Sequence, residues 1–150
     1  MSLTYPNYLW WLIPDRLGGM SRPPLKDLPQ LYQSNIKGIV SVMDEPSGIE
    51  EYKATGFETL WLPITGGKPP TLGQVKKFVQ FAEELIAQNQ STVVHCTSGN
   101  RRTGTLLATY LIAKGEQPHK AISLIKEARP TAELREAQQE FLLNLPLLLK

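Results

Sequence analysis

The chemistry in this chain concentrates in one run, His95-Cys96-Thr97-Ser98-Gly99-Asn100-Arg101-Arg102-Thr103-Gly104. An apolar stretch ends at His95, small and polar residues follow, and an apolar-periodic segment starts at Arg102. Such a strand–loop–helix junction leaves the backbone N–H groups of Thr97 to Arg101 free to converge at a helix N-terminus, where the helix dipole adds positive charge. A nest of this kind binds an oxyanion of phosphate size. Arg102, six residues after Cys96, brings a planar fork that grips two phosphate oxygens. The same positive field favours the Cys96 thiolate, which lowers its pKa below the usual ~8.5. A thiolate beneath a bound phosphate is placed for in-line attack, and the Thr103 hydroxyl is within reach to donate to it. A lone strand-end Cys is ordinarily a small buried hydrophobe; the company of Arg102, Thr103 and Gly104 at this spacing makes it a candidate nucleophile. No G-x-x-x-x-G-K-[ST] segment offers a competing nucleotide loop.

These residues need a scaffold, and the hydrophobic periodicity supplies one. Strands are expected at Tyr8–Ile13, Gly38–Met43, Phe57–Ile64 and Thr92–His95. Helices are expected at Leu25–Ser34 and Ile49–Thr55, the latter ended by Gly56. A longer helix follows an N-cap at Thr71, with Val75, Phe78, Val79, Ala82, Leu85 and Ile86 on one face. Further helices are expected at Arg102–Lys114, His119–Ala128 and Glu133–Leu145. The alternation implies an α/β fold with a central, mostly parallel sheet flanked by helices. Trp10, Trp11 and Trp61 are assigned to the core or its rim, and His119 to the surface.

The chain has 150 residues, and 41% are hydrophobic, which suits one domain spanning residues 1–150 with a real core. Sixteen basic against 14 acidic residues give a net charge of +2, so composition alone does not point to nucleic acid. The single Cys excludes a disulfide scaffold. No apolar run is long enough to span a membrane, and the opening residues lack the basic region of a signal peptide. A cytoplasmic location is expected. No His/Cys/carboxylate cluster suggests a metal, and the chemistry requires neither metal nor other cofactor.

The run His95–Gly104 resembles the signature of the protein tyrosine phosphatase superfamily, His-Cys-x5-Arg-[Ser/Thr]-Gly. The opening Pro6-Asn7, Trp10 or Trp11 and Pro14-Asp15-Arg16-Leu17-Gly18-Gly19 is similar to that of small, atypical, VH1-like dual-specificity phosphatases. So are Val40-Ser41-Val42, Arg129-Pro130 and Gln138-x-x-Phe141. The resemblance implies that Cys96 forms a phosphocysteine intermediate, that Arg102 binds phosphate and stabilises the transition state, and that Thr103 assists breakdown of the intermediate. It implies that Thr97, Ser98, Gly99, Asn100 and Arg101 bind substrate, that His95 supports the thiolate, and that Gln138 either orients the hydrolytic water or is a solvated helix residue. The implied partner is a phosphorylated protein, with phosphotyrosine and in second place phosphoserine or phosphothreonine as targets.

The chain departs from that pattern at two points. The family places a general-acid Asp after the Pro that ends the strand equivalent to Phe57–Pro63; here Ile64-Thr65-Gly66-Gly67 follows, with no carboxylate. Asp44, just after a buried strand, is the first substitute, because ligands collect at the carboxyl ends of parallel strands; Glu45, Glu133 and Glu136 come next. Arg101 stands where the family has Gly and widens a basic rim that Lys68 and Arg22 could join. Three readings stay open at this point: a protein phosphatase, a phosphate-recognition module without turnover, and a phosphatase for a non-protein substrate such as an RNA 5′ end or a phosphoinositide.

Overall fold

The computed structural model describes residues 5–150. Five strands form one sheet: β1 (Leu9–Ile13), β2 (Leu17–Ser21), β3 (Ile36–Ser41), β4 (Glu58–Trp61) and β5 (Ser91–Cys96), in the order β1-β2-β5-β3-β4. Only the β1–β2 pair is antiparallel; β2–β5, β5–β3 and β3–β4 are parallel. The registers Ser21↔Cys96, Ser41↔His95 and Ser41↔Trp61 set the carboxyl ends of β2, β5, β3 and β4 along one edge. That edge carries the site.

The expected fold class is the one observed, and β2 is a strand that the hydrophobic periodicity does not predict. Two features hid it. Asp15 adopts a left-handed φ of 60° and turns the chain back on itself. Gly18-Gly19 then reads as a turn, although it lies inside a buried strand. The glycine is needed for close approach: a Cβ on Gly19 would sit 2.6 Å from the Trp10 ring and 2.7 Å from the Thr103 methyl. Strand β4 is shorter than expected. Pro63 has no N–H to give, so regular pairing stops at Trp61, though Leu62 and Ile64 still donate to Ser41 and Val42 carbonyls at 2.9 and 3.1 Å. Strand β3 lies two residues earlier than expected, at Ile36–Ser41.

Six α-helices cover the sheet: α1 (Leu28–Gln33, entered through a 3-10 turn at Leu25–Asp27), α2 (Ile49–Thr55), α3 (Leu72–Ile86), α4 (Arg101–Ala113), α5 (Pro118–Ala128) and α6 (Glu136–Leu148). The Thr71 cap of α3 is present in full: Gln74 N–H donates to Thr71 Oγ1 at 3.1 Å, and Thr71 N–H to Gln74 Oε1 at 2.9 Å. Helix α6 begins three residues later than expected. Its first turn is capped by Gln138, whose Oε1 accepts from Arg135 N–H at 2.8 Å.

The two faces of the sheet bury different clusters. On one, Val40, Val42 and Val94 pack with Phe78, Leu106, Leu107, Ile125 and Leu142 from α3 to α6. On the other, Met20, Ile39 and Val93 pack with Leu28, Leu31 and Tyr52 from α1 and α2. Leu106 and Leu107 are wholly buried. Each such side chain contributes roughly 1.5–3 kcal/mol, so the first turns of α4 are fixed in position by the core behind them.

Candidate active site

Cys96 ends β5 at 2% exposure. Its sulfur accepts the Gly99 N–H at 3.3 Å and the Thr103 hydroxyl at 3.1 Å. Burial pushes the thiol pKa up, but the Thr103 hydroxyl and the N–H groups of Thr103, Gly99 and Asn100 outweigh it, and the net displacement is downward. This loop can therefore hold a thiolate at its floor.

The loop conformation is over-determined. Gly99 has a φ of 77°, and a Cβ there would lie 2.5 Å from the Met20 carbonyl carbon, so only glycine fits. Trp10 donates its indole N–H to the Gly99 carbonyl at 3.0 Å. Asn100 Oδ1 accepts from Arg129 Nε and Thr131 Oγ1, each at 2.9 Å. The Asn100 carbonyl takes the Gly104 N–H at 2.7 Å, which starts α4. Arg102 reaches across the mouth, donating to the Ile64 carbonyl at 3.0 Å and to Thr97 Oγ1 at 3.3 Å. Both of these bonds hold Arg102 in the lining of the cavity that also contains Cys96. Ser98 lines the cavity in front of Cys96, and Arg101 does so from its exposed rim position, with its Nε on the Glu133 carbonyl at 2.9 Å.

His95 is fully buried, and its Nε2 lies 2.9 Å from the Tyr52 hydroxyl. Burial lowers its pKa to about 4, opposed by a backbone hydrogen bond at Cys96 and aided by a lesser push from the Arg22 charge. It is a neutral imidazole at physiological pH. It stands behind the thiolate, on the opposite face of the strand from the cavity.

The carboxylates proposed from sequence lie elsewhere. Asp44 and Glu45 are exposed on the loop after β3. The Glu133 carboxylate pairs with Lys126 at 3.1 Å, and Glu136 lines a separate surface groove on α6. Among the described residues no carboxylate lines the cavity at Cys96. Its walls hold Gly66 and Gly67 and the cations Lys68, Arg101, Arg102 and Arg135. Arg22 is exposed and outside it, and His119 lies exposed in the first turn of α5. Gln138 is buried, with its amide committed to Arg135 N–H and, at 3.4 Å, to the Lys68 carbonyl. The sequence assigns Trp10, Tyr52, Arg129 and Arg135 no role in the site, because each meets it only through the fold. Among the described residues no three His, Cys, Asp or Glu side chains gather as a metal site.

Comparison with known proteins places this geometry. Residues 16–116 match the family Tc-R-P, "Polymorphic toxin system, DSP-PTPase phosphatase". The mouse protein "Phosphatidylglycerophosphatase and protein-tyrosine phosphatase 1" is 33% identical over 131 residues, covering 79% of this chain and 67% of that protein. The crystal structure of PTPMT1 superposes with a TM-score of 0.85 at 26% identity, over 95% of this chain and 96% of the other; it has also been solved in complex with PI(5)P. Human DUSP28 shares the fold, with a TM-score of 0.81 and 22% identity over 99% of both chains.

Proposed function

The chain belongs to the DSP-PTPase phosphatases of the tyrosine and dual-specificity superfamily, and from that premise we propose that residues 1–150 act as one catalytic domain in which Cys96 is the nucleophile. The Cys96 thiolate attacks phosphorus as the ester oxygen departs, forming the S–P bond of a phosphocysteine. Water then attacks that phosphorus, phosphate leaves, and the thiolate returns. The loop N–H groups and the Arg102 fork bind the three equatorial oxygens, where charge is held through both transfers. Thr103 donates to the sulfur and eases its departure in the second step.

The observation that carries this reading is the pair of hydrogen bonds on the Cys96 sulfur, 3.1 Å from Thr103 and 3.3 Å from Gly99, in a cavity that Arg102 also lines. The test is turnover of an aryl phosphate by the native chain and by Cys96→Ser. The serine variant should lose activity; retained activity would remove Cys96 from the mechanism.

On substrate, the cavity wall favours esters whose leaving group needs no proton. Neither Thr65 nor Gly66 can supply one at neutral pH, so phenolic esters, with phosphotyrosine the natural example, turn over fastest. The cationic wall supports a second reading, a non-protein phosphomonoester of high negative charge. The names of relatives that include phosphatidylglycerophosphatase and a PI(5)P complex point the same way. Relative kcat/KM on a phosphotyrosine peptide and on phospholipid vesicles separates the two.

A further inference from the structure

The cavity in front of Cys96 has a volume of about 440 Å³. That lies within the range of pockets that enclose whole small molecules, and it leaves room beyond the phosphate being cleaved. The extra room is not electrically neutral. Arg102 is tied to Thr97 on the Cys96 loop, whereas Lys68 lies on the loop after β4 and Arg135 packs against Gly67 of that loop; all three line the one cavity. Neither of these two cations forms an ion pair with a carboxylate among the described residues. Arg101 is already tied to the Glu133 carbonyl. A concave wall with one sign of charge focuses the field on whatever anion enters.

The pair is also mounted. Lys68 sits on the loop after β4 and Arg135 at the start of α6, 67 positions apart in the chain. One side chain joins them. Gln138, with no exposed surface, accepts the Arg135 N–H at 2.8 Å and donates to the Lys68 carbonyl at 3.4 Å. A buried amide is costly unless both its ends are bonded. Here both ends go to the backbones of the two residues that carry the free cations. The sequence reading offered Gln138 as a water-orienting or solvated residue; its bonds make it a bridge between two cation-bearing segments.

We infer that Lys68 and Arg135, held together by Gln138, form a second anion-binding subsite in the active-site cavity, and that it selects phosphomonoesters carrying a second phosphate group a few bonds from the one cleaved. The inference rests on the phosphatase reading above and adds a substrate class to it. The second phosphate could belong to a soluble bisphosphate or to a lipid headgroup whose terminal monoester follows a phosphodiester; both present the same chemistry to the subsite.

The test measures binding without turnover. In Cys96→Ser, titration calorimetry at low salt compares inorganic phosphate with glycerol 1,3-bisphosphate. The bisphosphate should bind at least about 10-fold more tightly, the return of one added charge-assisted contact. Adding Lys68→Ala and Arg135→Ala should bring the ratio close to one. These substitutions spare the Gln138 bridge, which uses only main-chain atoms of both residues. Raising the salt should shrink the ratio, because both cations are exposed and screened. A ratio near one before substitution, or a ratio that survives the double substitution, overturns the inference. Phosphatidylcholine vesicles containing phosphatidylglycerophosphate form the second arm. A preference seen in both arms and lost in both with the double variant assigns it to the two-phosphate chemistry. A preference confined to vesicles and indifferent to the double variant assigns it to the membrane surface and overturns the subsite. Loss of aryl phosphate turnover in the native chain would instead fail the phosphatase reading, and the binding ratio would remain readable.

Discussion

The two walls of the active-site cavity are built to different standards. The loop from Cys96 to Arg102 is tied down from every side: by Trp10 through Gly99, by Arg129 and Thr131 through Asn100, and by Thr103 through the sulfur itself. The facing loop, Thr65 to Lys68, is largely exposed. It is held by a turn bond from Lys68 N–H to the Thr65 carbonyl at 3.0 Å and by the Gln138 bridge. On the proposed mechanism the first wall binds phosphate and forms the covalent intermediate. The second has charge but no carboxyl group. Binding and nucleophilic attack are thus equipped independently of leaving-group protonation, and the chemistry this enzyme performs well is set by the poorer wall.

The largest expected effect tests the rich wall. Cys96→Ser should lower kcat/KM on nitrophenyl phosphate by roughly 10⁴-fold or more, as removal of a covalent nucleophile does; steady-state assays decide it. Arg102→Lys keeps the charge but loses the fork, and should cost roughly 10²–10³-fold in kcat. A rate near that of the native chain would show that the bonds to Ile64 and Thr97 are structural only.

His95 sharpens the comparison through stability. Its pKa is about 4 in the folded chain against ~6.5 when unfolded. The folded value is the lower one, so the unfolded chain takes up a proton that the folded chain refuses. This contribution is fully present above the unfolded value and is lost as pH falls from 6.5 towards 4. The loss amounts to about 3 kcal/mol. Denaturant midpoints at pH 7.5 and 4.5 should differ accordingly, and His95→Gln should flatten the difference.

The poor wall can be improved. Thr65→Asp places a carboxyl where the chain has none, and should raise kcat on alkyl phosphates relative to nitrophenyl phosphate, by up to roughly 10²-fold. Equal effects on both esters would mean that the loop cannot deliver a proton from that position. The smallest effect concerns the bracing. Trp10→Phe removes one hydrogen bond, on the Gly99 carbonyl, and should cost about 1 kcal/mol of stability, visible in the denaturant midpoint.

The same contrast explains what was legible in the sequence. His95 to Gly104 could be read directly, because all of its functional groups lie within one strand–loop–helix junction and the chain order itself sets their spacing. The long apolar helices were legible for the same local reason. Strand β2 was not, since Gly18 and Gly19 serve the close approach of Trp10 and Thr103, and the pattern of a turn and of a close-packed strand coincide there. The braces were not legible either. Trp10 meets Gly99 across 89 residues, Gln138 meets Lys68 across 70, and Arg129 meets Asn100 across 29. Asp44 follows from the sheet edge alone; that position puts it on the loop after β3, but not in the cavity wall.

The central claim is that leaving-group departure goes unassisted by a side-chain acid. A series of phosphate monoesters whose leaving groups span a wide range of pKa measures this directly, for the native chain and for Asp44→Asn. The account predicts that log kcat/KM falls steeply as the leaving group becomes more basic, with the same slope in both proteins. A shallow slope in the native chain that steepens in Asp44→Asn would contradict it and return the general acid to Asp44.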